Sequence, residues 1–247
     1  MVDAQSQHGA HDVHAAGPPS GLSISEGGYA LALAERMPAL GRPAPFRFQV
    51  VNELGEAQRG FDRQHDREMH LIVVARDLSG FQHLHPSRHA DGTWAVQLEL
   101  HAAGVYRAFA DFSIAGKPLT LGADLFVSGE FRPRPLPEPS PRSHADDGYE
   151  VVLRDPDAAE GESALQFEVH RRGRLVRDLE PYLGARGHLV ALREGDLAFL
   201  HVHPRDAAVE GDAVTFDAHF PSAGRYRLFL QFQHEGQVRT AAFTKIV

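Results

Sequence analysis

Residues 69–86 read Met-His-Leu-Ile-Val-Val-Ala-Arg-Asp-Leu-Ser-Gly-Phe-Gln-His-Leu-His-Pro, and residues 187–204 read Gly-His-Leu-Val-Ala-Leu-Arg-Glu-Gly-Asp-Leu-Ala-Phe-Leu-His-Val-His-Pro. In both segments the first histidine precedes the second by 13 residues and the third by 15: His70, His83 and His85 answer His188, His201 and His203. A run of β-branched and aliphatic residues, a turn, and a second short run describe a hairpin, so the pattern is a duplicated hairpin carrying duplicated imidazoles.

The match extends outward. Residues 103–109 align with 223–229, Phe112 falls on Phe232, and Phe46-Arg47-Phe48-Gln49-Val50 corresponds to Leu165-Gln166-Phe167-Glu168-Val169. Each copy is about 100 residues long, a common domain length. Between the copies, Arg132-Pro-Arg-Pro-Leu-Pro-Glu-Pro-Ser-Pro-Arg142 favours extended polyproline and resists both helix and central strand. The expected organisation is a histidine-bearing tail over 1–20, a first β-sandwich over 21–130, a Pro-rich linker over 131–147 and a second β-sandwich over 148–247.

Short runs such as 94–100, 105–112, 214–220 and 226–232 are rich in β-branched and aromatic residues. Turn signals at 52–55, 77–80, Asp91-Gly92, 194–196 and Glu235-Gly236 separate such runs. Pro221-Ser-Ala-Gly-Arg-Tyr-Arg227 has the form of a tight corner entering a late strand. Residues 180–184 are the one place where a short helical turn is expected. The fold class is therefore all-β: two tandem immunoglobulin-like or cupredoxin-like antiparallel sandwiches related by internal duplication.

Strand parity brings the histidines together. Alternation puts His83 and His85 on one face. The turn at 77–80 most simply sets Val74 opposite His83 and Ile72 opposite His85, which places His70 on the same face. In the second copy the turn at Glu194-Gly195 could set His188 opposite His201. A register differing by an even number of residues leaves the convergence intact. The expected metal ligands are His70, His83 and His85, and His188, His201 and His203.

The chain has no cysteine, so imidazole, carboxylate and thioether are the available ligands. An all-imidazole set suits copper, with zinc as the alternative. Met69 faces away from its neighbour His70. Glu68 lies two residues before His70 and is the better-placed extra ligand, but its counterpart is Arg186. Asp111 and Gln231, at equivalent places on a later strand, are expected to orient an imidazole from behind. His65, His89, His101, His144, His170, His219 and His234 have no histidine counterpart, and exposed or structural roles are expected for them. His8, His11 and His14 lie in a small-residue tail suited to weak metal capture.

With 247 residues, 43% of them hydrophobic, the chain can bury two modest cores. A net charge of -8 and just two lysines, Lys117 and Lys245, argue against nucleic acid as a partner. No apolar run is long enough to span a membrane as a helix. The tail has no apolar signal-peptide core, and it reads as a mature N-terminus exposed when a leader is removed, which implies a periplasmic or secreted location.

The runs His188–Pro204 and Ala223–His234 resemble those of bacterial secreted or periplasmic proteins with immunoglobulin-like or cupredoxin-like domains, a loose group often associated with copper handling. The resemblance covers both repeats. It implies copper buffering or delivery, with another metal-handling protein as a partner. The chain departs from true cupredoxins in lacking the cysteine loop, and from small copper-resistance proteins in lacking a histidine at the start of its first strand. Two other readings stand beside this one: a zinc or copper enzyme, for which no carboxylate is matched in both repeats, and a non-metal interaction protein with two sandwich domains.

Overall fold

The computed structural model describes residues 19–154, 162–204 and 212–247, apart from the side chains of 162, 163, 201 and 203. The tail histidines His8, His11 and His14 lie outside the described residues. In the first repeat the strands are β1 (Ser25–Glu26), β2 (Tyr29–Leu33), β3 (Ala44–Asn52), β4 (His70–Ala75), β5 (Gln82–Leu84), β6 (Ser87–Arg88), β7 (Trp94–Leu98), β8 (Gly104–Ile114) and β9 (Lys117–Val127). The second repeat holds β10 (Arg142–Ala145), β11 (Tyr149–Arg154), β12 (Glu162–Arg171), β13 (Arg174–Leu175), β14 (His188–Arg193), β15 (Phe199–His201), β16 (His203–Pro204), β17 (Val214–His219), β18 (Arg225–His234) and β19 (Gln237–Ile246).

Apart from β13, which pairs with β12 and has no counterpart strand in the first unit, the sheets repeat strand for strand. Orders β1-β2-β3-β7-β6 and β5-β4-β8-β9 in the first unit become β10-β11-β12-β17-β16 and β15-β14-β18-β19 in the second, every ladder antiparallel. Each pair of sheets encloses its own core, around Phe46, Phe48, Trp94 and Phe112 in one unit and Phe167, Phe216, Phe232 and Phe243 in the other. The corner expected before β18 is present and has a twin. Tyr226 Oη donates to the Ser222 carbonyl and Tyr106 Oη to the Ala102 carbonyl, both at 2.9 Å. A tyrosine tied four residues upstream is a mark of immunoglobulin-like sandwiches. The expected helical turn at 180–184 is absent: Glu180 bridges Gln233 and Tyr182 bridges Ala185, with Leu183 and Gly184 at positive φ.

Strands β4 and β14 explain how the units are joined. Ordinary half-buried strands alternate, but β4 is buried at every position and β14 at all but its last. Leu71 and Val73 fill the first core, while Ile72 and Val74 meet Val190, Leu192 and Phe229 in a third cluster between the units. The contacts are reciprocal. Phe81 stacks on Phe229 with ring centroids 4.0 Å apart, and the equivalent Phe199 packs on Phe109 at 5.4 Å. This is the pattern of a pseudo-twofold interface, in which residue i meets j of the other unit and j meets i.

Two segments strap the interface. Leu136 of the Pro-rich stretch is buried in the inter-unit cluster, and β10 begins at Arg142, inside the span expected as linker. Phe199 N–H donates to the Ser20 carbonyl, while Gly21 threads between Phe109 and Phe199. A Cβ on Gly21 would lie 2.7 Å from Phe109, and its φ of +76° also favours glycine.

Candidate metal site at the domain interface

The hairpins that carry the histidines pair two residues away from the expected register: Ile72 is opposite His83, and Val190 is opposite His201. The shift is even, so His83 still shares the face of Ile72 and His70. The assumption that both histidines of each His-X-His pair lie on one strand is corrected. The chain crosses between sheets there: β5 ends at Leu84 and β6 begins at Ser87, while His201 closes β15 and His203 opens β16 in the other sheet. In the first unit Pro86, with no N–H to donate, follows His85 at the crossing.

His70, His83 and His85 nevertheless come together. One ring nitrogen from each lies within 4.8 Å of the other two, and ring centroids are 4.8–5.2 Å apart. Imidazoles sharing a tetrahedral ion, with metal–nitrogen bonds of about 2.0–2.1 Å, place their centroids roughly 5 Å apart.

The hydrogen bonds around the rings decide where the lone pairs point. His70 Nε2–H donates to the Gln64 carbonyl at 3.1 Å, and His83 Nδ1–H donates to Gln231 Oε1 at 2.6 Å. A neutral imidazole has one N–H, so both protons are used outward. With the Gln231 amide oxygen turned toward His83, His70 Nδ1 and His83 Nε2 face each other as lone pairs at 3.0 Å. Two acceptors at that distance repel unless a cation lies between or beside them. His85 Nε2 is buried and has no hydrogen-bond partner among the described residues. Outer N–H groups fixed by carbonyls, with inner nitrogens left bare, are how proteins set metal-binding histidines.

Burial keeps these rings neutral. Desolvation, reinforced by the neighbouring imidazoles, lowers His70 and His83 to about 3 and His85 to about 4. No proton then competes for the inner nitrogens at neutral pH.

The second unit repeats the anchoring. His188 Nε2–H points at the carbonyls of Tyr182 and Leu183, at 3.1 and 3.3 Å, and burial lowers its pKa to about 4. Tyr182 stands to His188 as Gln64 stands to His70, six residues upstream. Each acceptor opens a tight turn with positive φ at both central residues: His65 and Asp66 in one unit, Leu183 and Gly184 in the other. The side chains of His201 and His203 lie outside the described residues.

The two histidine faces meet each other across the interface. His188 lies 6.4 Å from both His70 and His83 by ring centroid. A small cavity of about 40 Å³ runs between them, bordered by His65, His70, His83, Asp111 and His188. Gln231 does orient an imidazole, but one of the opposite unit. Asp111 accepts from Thr120 Oγ1, and Gln231 Nε2 contacts the equivalent Thr240. Glu68 is corrected as an extra ligand, because Arg88 holds its carboxylate at 3.1 Å. Met69 is buried in the first core, away from the site. His65 was expected to be exposed or structural, yet its ring packs 4.9 Å from His188. The signal for it was the paired turns at 64–67 and 182–185, which are equivalent in spacing though not in residues.

A single family model matches the chain twice, over residues 24–129 and 143–247. The chain belongs to the family described as Domain of unknown function (DUF8832). The two DUF8832 units coincide with the two sandwiches. No curated protein matches the chain in sequence. Among solved structures, it is similar to the Escherichia coli adhesin FdeC at 15% identity, covering 90% of this chain and 65% of that one, with a TM-score of 0.31. Salmonella alpha-2-macroglobulin matches at 13% identity over 93% of this chain and 16% of that one, TM-score 0.32, and the bacterial integrin-binding protein invasin at 12% over 85% and 37%, TM-score 0.25. The chain thus spans less than two thirds of each of these proteins. No helix among the described residues is long and apolar enough to cross a membrane.

Proposed function

We propose that this protein binds a transition-metal ion, copper with zinc as the alternative, through His70, His83 and His85. Duplication extends the reading to a second ion at His188, His201 and His203, and the protein buffers or delivers the metal outside the cytoplasm. The observation that carries it is the pair of bare nitrogens, His70 Nδ1 and His83 Nε2, facing each other beside the buried, unpartnered Nε2 of His85. Three imidazoles with no thiolate form a nitrogen set suited to Cu(II) or Zn(II).

Calorimetric titration with each ion tests the proposal, comparing the wild type, a His83→Ala/His85→Ala/His201→Ala/His203→Ala variant, and a variant with His8, His11 and His14 replaced by Ala. Two tight sites are expected in the wild type and in the tail variant, and both are lost in the quadruple variant. Uptake that survives the quadruple variant but not the tail replacement would assign binding to the tail.

One observation favours a second reading, a non-metal interaction protein in which the histidines form a polar seam. Reversing the Gln231 amide would let its NH2 donate to His83 Nδ1, His83 Nε2–H to His70 Nδ1, and His70 Nε2–H to Gln64, completing a metal-free chain. In that case added metal leaves thermal stability unchanged, whereas a bound ion at 100 times its Kd raises it by about 2.7 kcal/mol.

A further inference from the structure

Among the described residues, His65 is the one imidazole at the interface that the duplication does not account for. Its place on the turn is taken by Leu183 in the second unit, and both residues have positive φ. The two turns meet: a Cβ on Gly184 would sit 3.5 Å from Asp66 Oδ2. His65 thereby reaches His188, with centroids 4.9 Å apart and planes at 87°, so that an edge of one ring confronts the other. The other distances divide the cluster. His65 is 6.2 Å from His70, and His188 is 6.4 Å from His70 and from His83, all wider than the roughly 5 Å of rings sharing one ion. His65 with His188 therefore forms a second group beside the triad, and the cavity lies between them.

We propose that His65 is a cross-domain metal ligand, completing the coordination of an ion held through His188, so that this ion bridges the two DUF8832 units. The proposal rests on the metal-binding reading of the histidine clusters. His188 is prepared for the role, since its Nε2–H is committed to the Tyr182 and Leu183 carbonyls and its Nδ1 is the nitrogen left to bind. The ion would be divalent copper or zinc, as for the triad. The two sites then differ in kind: the triad draws its ligands from one unit, whereas the second site is closed by the other unit.

Titration of the full chain with Cu(II), and separately Zn(II), tests this in wild type, His65→Leu, His188→Ala and the double variant. Leucine is the residue the second unit carries at the same turn position, at φ 54°, so the turn should fold, and an unchanged melting temperature of the metal-free variant verifies that. The expected result is one ion bound about 10-fold or more weakly in His65→Leu while the other is unaffected. The double variant should be no weaker than His188→Ala alone, because both residues serve the same ion. Two ions held at wild-type affinity by His65→Leu, or effects of the two substitutions that simply add, would overturn the proposal. A wild type whose uptake is abolished by His83→Ala/His85→Ala but untouched by His65→Leu and His188→Ala would overturn it while leaving the triad standing; no uptake by the wild type would overturn both.

Discussion

The turn before β4 and the turn before β14 perform the same task with different residues. Gln64-His65-Asp66-Arg67 and Tyr182-Leu183-Gly184-Ala185 share no residue, yet each presents a backbone carbonyl to the histidine six positions later. A carbonyl needs no particular side chain, so the turn sequences were free to diverge. An imidazole nitrogen has no such substitute, and the three histidine positions are kept in both units. Where the copies differ around the rings, they complement each other across the interface: Gln231 of the second unit holds His83 of the first, and His65 of the first packs on His188 of the second.

The largest effect expected from this arrangement is on pH. His70 and His83 stay neutral in the fold down to about 3, whereas in the unfolded chain they take up protons below about 6.5. The unfolded state therefore binds more protons between those values, and the stability of the metal-free protein falls as pH drops from 6.5 toward 4.5. Each of the two contributes up to about 1.4 kcal/mol per pH unit. Urea unfolding across that range measures it, and a flat profile would mean that the rings are not buried between the units.

Removal of an aromatic from the seam comes next. Phe229→Ala should cost about 3–5 kcal/mol, since the ring is buried against Phe81 of the other unit, and it should lower the midpoint of a single cooperative transition. Two separate transitions in the wild type would contradict the docked arrangement.

Gln231→Ala tests the crossed support directly. It should weaken the ion at His70, His83 and His85 by about 10- to 100-fold without changing stoichiometry, although residue 231 lies in the opposite unit. A loss confined to the second unit's site would reverse the assignment. Smallest is Glu68→Gln, which breaks a partly exposed pair with Arg88; less than about 1 kcal/mol of stability and no change in metal affinity are expected in denaturation and titration.

Much of this architecture was legible in residues 69–86 and 187–204. The hairpins and the convergence of His70 with His83 follow from period-two alternation and survive a register change of two residues; the duplication follows from the matched histidine spacing, and the corner at Tyr226 from residues 221–227. The unbroken apolar run Leu71-Ile72-Val73-Val74-Ala75 belongs to a strand buried on both faces, a sign of the interface that a reading by alternation passes over. What escaped the sequence was non-local. Nothing in Glu68 announces Arg88, twenty residues on, and nothing in Gln231 announces His83 of the other unit. The approach of His65 to His188 depends on how two sandwiches dock, a relation that periodicity does not encode.

The proposed ion sits on the bare nitrogens at the seam. Anomalous diffraction from copper- or zinc-soaked crystals tests it most directly. A peak about 2.0–2.1 Å from His70 Nδ1 and His83 Nε2, with His85 as the third ligand, is the predicted result. Ordered metal elsewhere, with His70 and His83 still 3.0 Å apart and no peak beside them, would contradict it.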